Sequence, residues 1–136
     1  MYKKTLIRKA KEAQGNAYTP YSEFRVGAAV LIDNGEIYTG CNIEIVSYSP
    51  TICAERTAIF KAISEGYRSI KAIAIVGDLD FTYPCGVCRQ VIREFGKNAN
   101  IIIANSEDDY REYTIDELLP NSFGPGDLDG KDEEDV

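Results

Sequence analysis

Three cysteines stand in two short clusters, Cys53-Ala54-Glu55 and Pro84-Cys85-Gly86-Val87-Cys88, in a chain of 136 residues that contains no histidine. The spacing of Cys85 and Cys88 suits a tetrahedral zinc ion, and Cys53 brings the donor set to three. A structural zinc site usually closes with four protein ligands, whereas three leave one position for water. Glu55, two residues from a ligand, would handle that water's protons. A CxxC spacing alone also serves redox chemistry and structural zinc; the second cluster and its adjacent acid make the pattern specific. The residues therefore point to catalysis with a carboxylate beside a metal.

Three thiolates on Zn²⁺ leave a formal charge of −1, a poorer Lewis acid than three imidazoles would give, so a cationic neighbour is expected to withdraw charge from the sulfurs. Arg56 directly follows Glu55 and is favoured for this role. Arg89 directly follows Cys88, and for it a surface ion pair is an equal alternative. Cys41, the fourth cysteine, is expected to be a small buried hydrophobe rather than a ligand.

The surrounding pattern must place these residues. Leu6, Ala10, Ala13 and Ala17 recur at helical spacing, which predicts an amphipathic helix over residues 3 to 17, weakened at its end by Gly15-Asn16. The apolar run from Val26 to Ile32 reads as a strand buried on both faces. Asn34-Gly35 supplies the positive-φ pair of a tight hairpin returning as a strand from about Glu36 to Asn42. Ala54, Ala58, Ile59, Ala62 and Ile63 mark a helix that Gly66 stops. A buried strand from Ile70 to Val76, a helix from about Gly86 to Phe95 and an apolar strand from Ile101 to Ala104 follow. Both cysteine clusters thus fall at helix N-termini, where exposed amides and the helix dipole favour thiolate over thiol. Two strand-helix-strand units imply parallel pairing with helices on both faces of one sheet. Thr114-Ile115-Asp116-Glu117 has the form of a capping box opening a short helix that Pro120 ends.

The length suits one domain, residues 1 to 124, with a core that needs no disulfide, and the 44% hydrophobic content agrees. Residues 125 to 136, rich in Gly, Pro and acids, are expected to form a disordered tail. The net charge is −7, of which −5 lies between residues 127 and 136, leaving a nearly neutral body. No basic stripe outside the N-terminal helix offers itself to a nucleic-acid backbone, and no apolar run is long enough for a membrane span. Without an export pattern the chain is expected to be cytoplasmic, with a small, largely uncharged substrate.

Four segments in order carry a resemblance. They are Tyr21-Ser22 with Phe24-Arg25-Val26-Gly27-Ala28-Ala29, then Gly40-Cys41-Asn42-Ile43-Glu44, Cys53-Ala54-Glu55-Arg56-Thr57-Ala58, and Pro84-Cys85-Gly86-Val87-Cys88-Arg89-Gln90. From about Tyr18 to Phe123 the chain resembles the small, homotetrameric, zinc-dependent cytidine deaminases. The resemblance implies an α/β fold, a three-layer α-β-α sandwich with a mixed sheet of about five strands. It implies one zinc per subunit on Cys53, Cys85 and Cys88, and Glu55 as proton shuttle in the hydrolytic deamination of cytidine and deoxycytidine, a reaction of pyrimidine salvage. It places Phe24, Asn42, Glu44 and backbone around Ala54 at the nucleoside. Asn42 and Glu44 lie two apart, so on a strand they face the same way and suit a sugar hydroxyl.

The resemblance also implies a homotetramer whose neighbours complete each site. Tyr48 and Phe123 match aromatic positions at such pockets or interfaces, although for Phe123 ordinary core packing explains the position equally well. Ile45-Val46 stands where the family often has Asn-Ala, Pro50 precedes the first ligand, and Tyr83 stands where Ser or Thr is common; these differences bear on pocket walls and subunit contacts. The competing readings are a deaminase of nucleoside antibiotics resembling blasticidin S deaminase, an editor of polynucleotides, and a zinc-stabilised binding module without catalysis. The Phe24 to Ala29 segment, the neutral body and the free coordination position beside Glu55 respectively disfavour them.

Overall fold

Two sets of alternating apolar side chains, one on each face of the central strands, decide the architecture. The computed structural model describes residues 2–129. In chain order its elements are α1 (Tyr2–Gln14), β1 (Val26–Ile32), β2 (Ile37–Cys41), α2 (Ala54–Ser64), β3 (Ile70–Gly77), α3 (Gly86–Phe95), β4 (Asn100–Ser106), β5 (Asp109–Tyr113), α4 (Ile115–Leu118) and α5 (Gly126–Asp129). Because successive side chains of a strand point to opposite faces, Ala28, Val30, Ile73, Ile75, Ile101 and Ile103 meet the helix α2 residues Ala54, Ala58, Ile59 and Ala62 together with Ile92 of α3. Ala29, Leu31, Ala72, Ala74, Val76 and Ile102 form the other core with Leu6, Ile7 and Ala10 of α1. The result is a three-layer sandwich, α1 on one face and α2 and α3 on the other.

The sheet has five strands in the order β2-β1-β3-β4-β5. Only the pair β3 and β4 is parallel; β1 runs antiparallel to both β2 and β3, and β5 antiparallel to β4. The expectation of parallel pairing through two crossovers is therefore met in one crossover, β3-α3-β4. In the other, β2 and β3 point the same way but β1 lies between them. This arrangement brings the N-termini of α2 and α3 together at one edge of the layer.

Three further differences have local causes. The hairpin loop holds Asp33, Asn34 and Gly35, with Gly35 N–H bonded to Ile32 O at 2.9 Å and only Gly35 at positive φ, 94°. It is thus a three-residue turn rather than the two-residue turn with a positive-φ pair. Strand β5, Asp-Tyr-Arg-Glu-Tyr, is an exposed edge without an apolar alternation to betray it. Its hairpin engages the basic residues of α1, through Lys3 with Glu112, Lys4 with Asp108 and Arg8 with Glu107 at 2.8 to 3.0 Å. The one basic element of the chain thus faces carboxylates of its own fold. Lastly, Gly126–Asp129 forms a helical turn where a disordered tail is expected, Asp127 accepting from Gly124 N–H at 2.7 Å; residues 130–136 lie outside the described residues. Among the described residues no helix is long and apolar enough to cross a membrane.

Candidate active site

Each cysteine cluster sits where a helix starts. Cys53 is the N-cap of α2 and Cys85 that of α3, both with extended backbone, and Cys88 lies in the first turn of α3 with its N–H on Cys85 Sγ at 3.4 Å. The three Sγ atoms lie within 4.8 Å of one another, and Cys53 Sγ is 3.7 Å from Cys85 Sγ. Thiolates about 2.3 Å from a tetrahedral zinc stand about 3.8 Å apart, so the cluster fits such an ion. Cys41 is not part of this group; it is half-buried in β2, and burial raises its thiol pKa.

Electrostatics divide the cluster. A hydrogen bond from Cys88 and another from Arg56 draw the Cys53 thiol down to about 5 against the opposing effect of burial. Cys88, donor in that bond and buried, is pushed up. Arg56 Nη2 lies 3.4 Å from Cys53 Sγ, and its buried Nε has no hydrogen-bond partner among the described residues. The guanidinium therefore stands where sulfur-bound negative charge would develop. Arg89 does something else: Nε donates to Pro84 O at 2.8 Å and Nη1 to Leu118 O at 2.7 Å. Among the described residues it makes neither an ion pair nor a bond to sulfur, and acts as a clamp on the backbone that leads into Cys85.

Glu55, in the first turn of α2, is only 4% exposed. Burial pushes its carboxyl up to about 7, the neighbouring Cys53 adding to the effect and Arg56 opposing it. A carboxyl with that pKa exchanges protons readily in both directions near neutral pH. Its position depends on Gly40. A Cβ there would lie 2.5 Å from Ala58 N and 2.7 Å from Ala54 O, so only glycine lets the first turns of α2 rest on β2. The Thr57 hydroxyl adds a link, 3.1 Å from Cys41 O and 3.2 Å from Cys53 O.

Comparison with known proteins agrees with this geometry. The family model described as the cytidine and deoxycytidylate deaminase zinc-binding region matches residues 1–104. The chain belongs to that family. A cytidine deaminase of Sporosarcina psychrophila is 51% identical over 125 residues, covering 90% of this chain and 92% of its own. That of Halalkalibacterium halodurans is 46% identical, covering 94% and 98%. The crystal structure of cytidine deaminase from Burkholderia pseudomallei superposes with a TM-score of 0.83 at 44% identity, covering 88% of this chain and 97% of that one. The family is a zinc-binding one, and the only group of metal-ligating side chains found among the described residues is Cys53, Cys85 and Cys88.

Other residues singled out in this deaminase fold as follows. Strand β2 ends at Cys41, so Asn42 and Glu44 flank the bridge that Ile43 makes to Tyr18 and Ile52. Both side chains turn to the Tyr18–Val26 segment. Asn42 accepts from Val26 N–H at 2.9 Å and donates to Phe24 O at 2.8 Å. Glu44 accepts from the N–H groups of Tyr21 and Ser22 at 3.1 and 3.0 Å and from the Ser22 hydroxyl. These bonds, Ser22 foremost, hold the Glu44 carboxyl below its usual range. Phe24 is half-buried and Ala54 fully buried. Tyr48, at positive φ, and Phe123 are 74% and 57% exposed, so Phe123 is not a core residue here; Gln90 holds its carbonyl at 2.8 Å. The contributions of Gly40, Thr57 and the Arg89 clamp were not legible beforehand. All three lie within segments that carry the resemblance, but their partners Ala54, Ala58, Cys41 and Leu118 are 14 to 29 residues away, so no local pattern names them.

Proposed function

We propose that the protein catalyses the hydrolytic deamination of cytidine and deoxycytidine to uridine and deoxyuridine, releasing ammonia. The observation that supports it above all is the buried Glu55 carboxyl beside three converging thiols, in a chain close to cytidine deaminases over most of its length. Cys53, Cys85 and Cys88 would hold zinc, which when bound acidifies a water and supplies positive charge to the reacting oxygen. Glu55 accepts a proton from the water that attacks C4 and returns it to N3, which makes the ring carbon electrophilic. It then passes the second proton of that water to the amino group leaving C4, and ammonia departs. One carboxyl therefore serves first as base and then as acid. Arg56, close to Cys53 Sγ, withdraws charge from the thiolates and offsets the formal −1 of the site.

Asn42 and Glu44 take the sugar, chiefly its 3′-hydroxyl, while backbone around Ala54 orients the base and Phe24 packs beside it. An ionised carboxylate offers about four acceptor positions, so Glu44 keeps capacity for a hydroxyl beyond its three bonds within the chain. Reduced thiols, on which the metal site depends, favour the cytoplasm and a place in pyrimidine salvage. The exposed side chains Tyr18, Tyr21, Val46 and Tyr48, gathered on two adjoining loops, support assembly with further copies into a homotetramer.

Incubating zinc-loaded protein with cytidine or deoxycytidine should yield uridine or deoxyuridine with one ammonia per turnover. Glu55→Ala should retain zinc and lose on the order of 10³-fold or more in kcat, the scale of acid–base catalysis. A wild type that releases no ammonia from either nucleoside overturns the assignment; a variant that keeps its rate overturns the role of Glu55. The same preparation should sediment with about four times the chain mass if the assembly is a tetramer.

A further inference from the structure

Cys85 is the exposed member of the metal cluster and is reached through the connection from β3, residues 78 to 85. That connection is tied at three points. At its start Asp78 accepts from Arg25 N–H at 2.6 Å and from Arg25 Nη2 at 3.1 Å. At its end Pro84 O accepts from Arg89 Nε. Between them Tyr83 reaches to the edge strand β5, its hydroxyl 2.6 Å from that of Tyr113, the two rings meeting edge to face with centroids 5.6 Å apart. Arg111 Nη1 donates to the Tyr83 hydroxyl at 3.2 Å, and its guanidinium lies 3.9 Å over the Phe81 ring. A closed cluster of two phenols, a guanidinium and an aromatic face thus ends two residues before a metal ligand.

We propose that the Tyr83–Tyr113 hydroxyl pair, braced by Arg111 on Phe81, positions Cys85 for the metal, so that edge strand β5 sets how firmly zinc is retained. The proposal rests on the reading of Cys53, Cys85 and Cys88 as the zinc site. Its physical basis is preorganisation. A loop already fixed in the folded protein loses little freedom when its cysteine takes the metal, whereas a loosened loop must be ordered by the metal itself. Strand β5 has ties that do not depend on the phenol pair: its backbone pairing with β4, Asn100 Nδ2 donating to Glu112 at 2.7 Å, and the Lys3–Glu112 ion pair to α1.

The test uses Tyr113→Phe and Tyr83→Phe, which delete one hydroxyl and keep both rings, and the double variant. Zinc-loaded proteins are challenged with a chromophoric chelator. Release should be about 10-fold faster in each single variant, the lower end for partners outside the ligand shell. The double variant should release zinc little faster than Tyr83→Phe, which alone removes both the bond to Tyr113 and the one from Arg111. In cobalt-loaded protein the thiolate-to-metal absorption should shift in the variants, while the metal-free proteins keep the wild-type thermal midpoint within about 2 °C. Unchanged release in both single variants overturns the proposal, as does equal destabilisation of metal-free and metal-loaded protein with unchanged zinc affinity. A wild type that binds no zinc would instead sink the metal reading itself, which separates the two failures.

Discussion

Cys53 and Cys85 occupy the same position, the N-cap of a helix that opens on the cysteine cluster, yet the structure holds them by different means. The α2 terminus is fixed chiefly by packing, to which the Thr57 hydroxyl adds a tie to Cys41 O. Ala54, Glu55, Ala58, Ile59 and Ala62 are buried, and Gly40 admits the helix onto β2 without a Cβ between them. The α3 terminus is fixed by side-chain hydrogen bonds, from Arg89 to Pro84 O and between Tyr83 and Tyr113, while α3 buries only Cys88, Ile92 and Arg93 along its length. Packing that excludes a methyl group has no substitute, whereas a hydrogen bond at a half-exposed site can be exchanged for one to water. The α2 side should therefore respond abruptly to substitution and the α3 side by degrees. The side that also carries the Glu55 carboxyl is the rigid one, which suits the proton transfer proposed for it.

Gly40→Ala tests the packed side and should have the largest effect. The new methyl would sit 2.5 Å from Ala58 N and 2.7 Å from Ala54 O, both backbone atoms of α2, so the helix start must move away from β2. A loss of about 3 kcal/mol, the upper end for overpacking, is expected from the shift of the denaturant midpoint, together with weakened zinc binding and lost turnover. A stable, zinc-loaded Gly40→Ala protein would break the comparison, because packing would then not be what places Cys53.

The packed side also stores an electrostatic cost that the other terminus lacks, since α3 has no acid in its first turn. Burial raises the Glu55 carboxyl from its ordinary 4.5 to about 7. The folded state therefore holds the proton more tightly than the unfolded chain does. Stability falls as pH rises through that window and levels off above it. Replacing the acid with a neutral amide removes the cost, so metal-free Glu55→Gln should be more stable than wild type at pH 8, by on the order of 3 kcal/mol at about 1.4 kcal/mol per unit. The two proteins should converge at pH 4, and Glu55→Gln should be inactive throughout. Urea titrations of both proteins at the two pH values check this. Equal stability at pH 8 would mean that solvent reaches the carboxyl and that the α2 terminus is looser than its packing indicates.

What a reader of the sequence sees follows the same division. The helices carrying the cysteines are legible because apolar periodicity and the glycines at their ends are local signals, and Gly86–Phe95 lies where a helix from about Gly86 to Phe95 is expected. Arg56 is legible beside Glu55 for the same reason, its neighbours in sequence being its neighbours in space. Strand β5 is not, because an edge strand of Asp, Tyr, Arg and Glu has no second covered face to impose alternation. Strand order is not either: β1 lies between β2 and β3 through hydrogen bonds that no local pattern encodes. Asn42 and Glu44 illustrate the boundary. Their spacing correctly gives them a common direction, but that the direction is toward Tyr21, Ser22, Phe24 and Val26 depends on a loop some twenty residues away.

Arg89 sharpens the comparison from the graded side, with the smallest effect. Its two bonds join Pro84 O to Leu118 O, so a single guanidinium couples the turn before Cys85 to the α4 segment. Arg89→Ala should cost about 1–2 kcal/mol, less than two charged bonds at fully buried sites, because water can reach part of the gap. Arg89→Lys should recover only a fraction of that, since one ammonium lacks the forked donor geometry that reaches both carbonyls together. The difference between the two variants is the informative quantity, read from denaturant midpoints and from the rate of zinc release. If Lys restores both fully, charge near the helix start matters and the fork does not. If Arg89→Ala proves as damaging as Gly40→Ala, the α3 terminus is as rigidly built as the α2 terminus. In that case the polar ties around Cys85 act as one cooperative unit with the core rather than as separate, replaceable bonds.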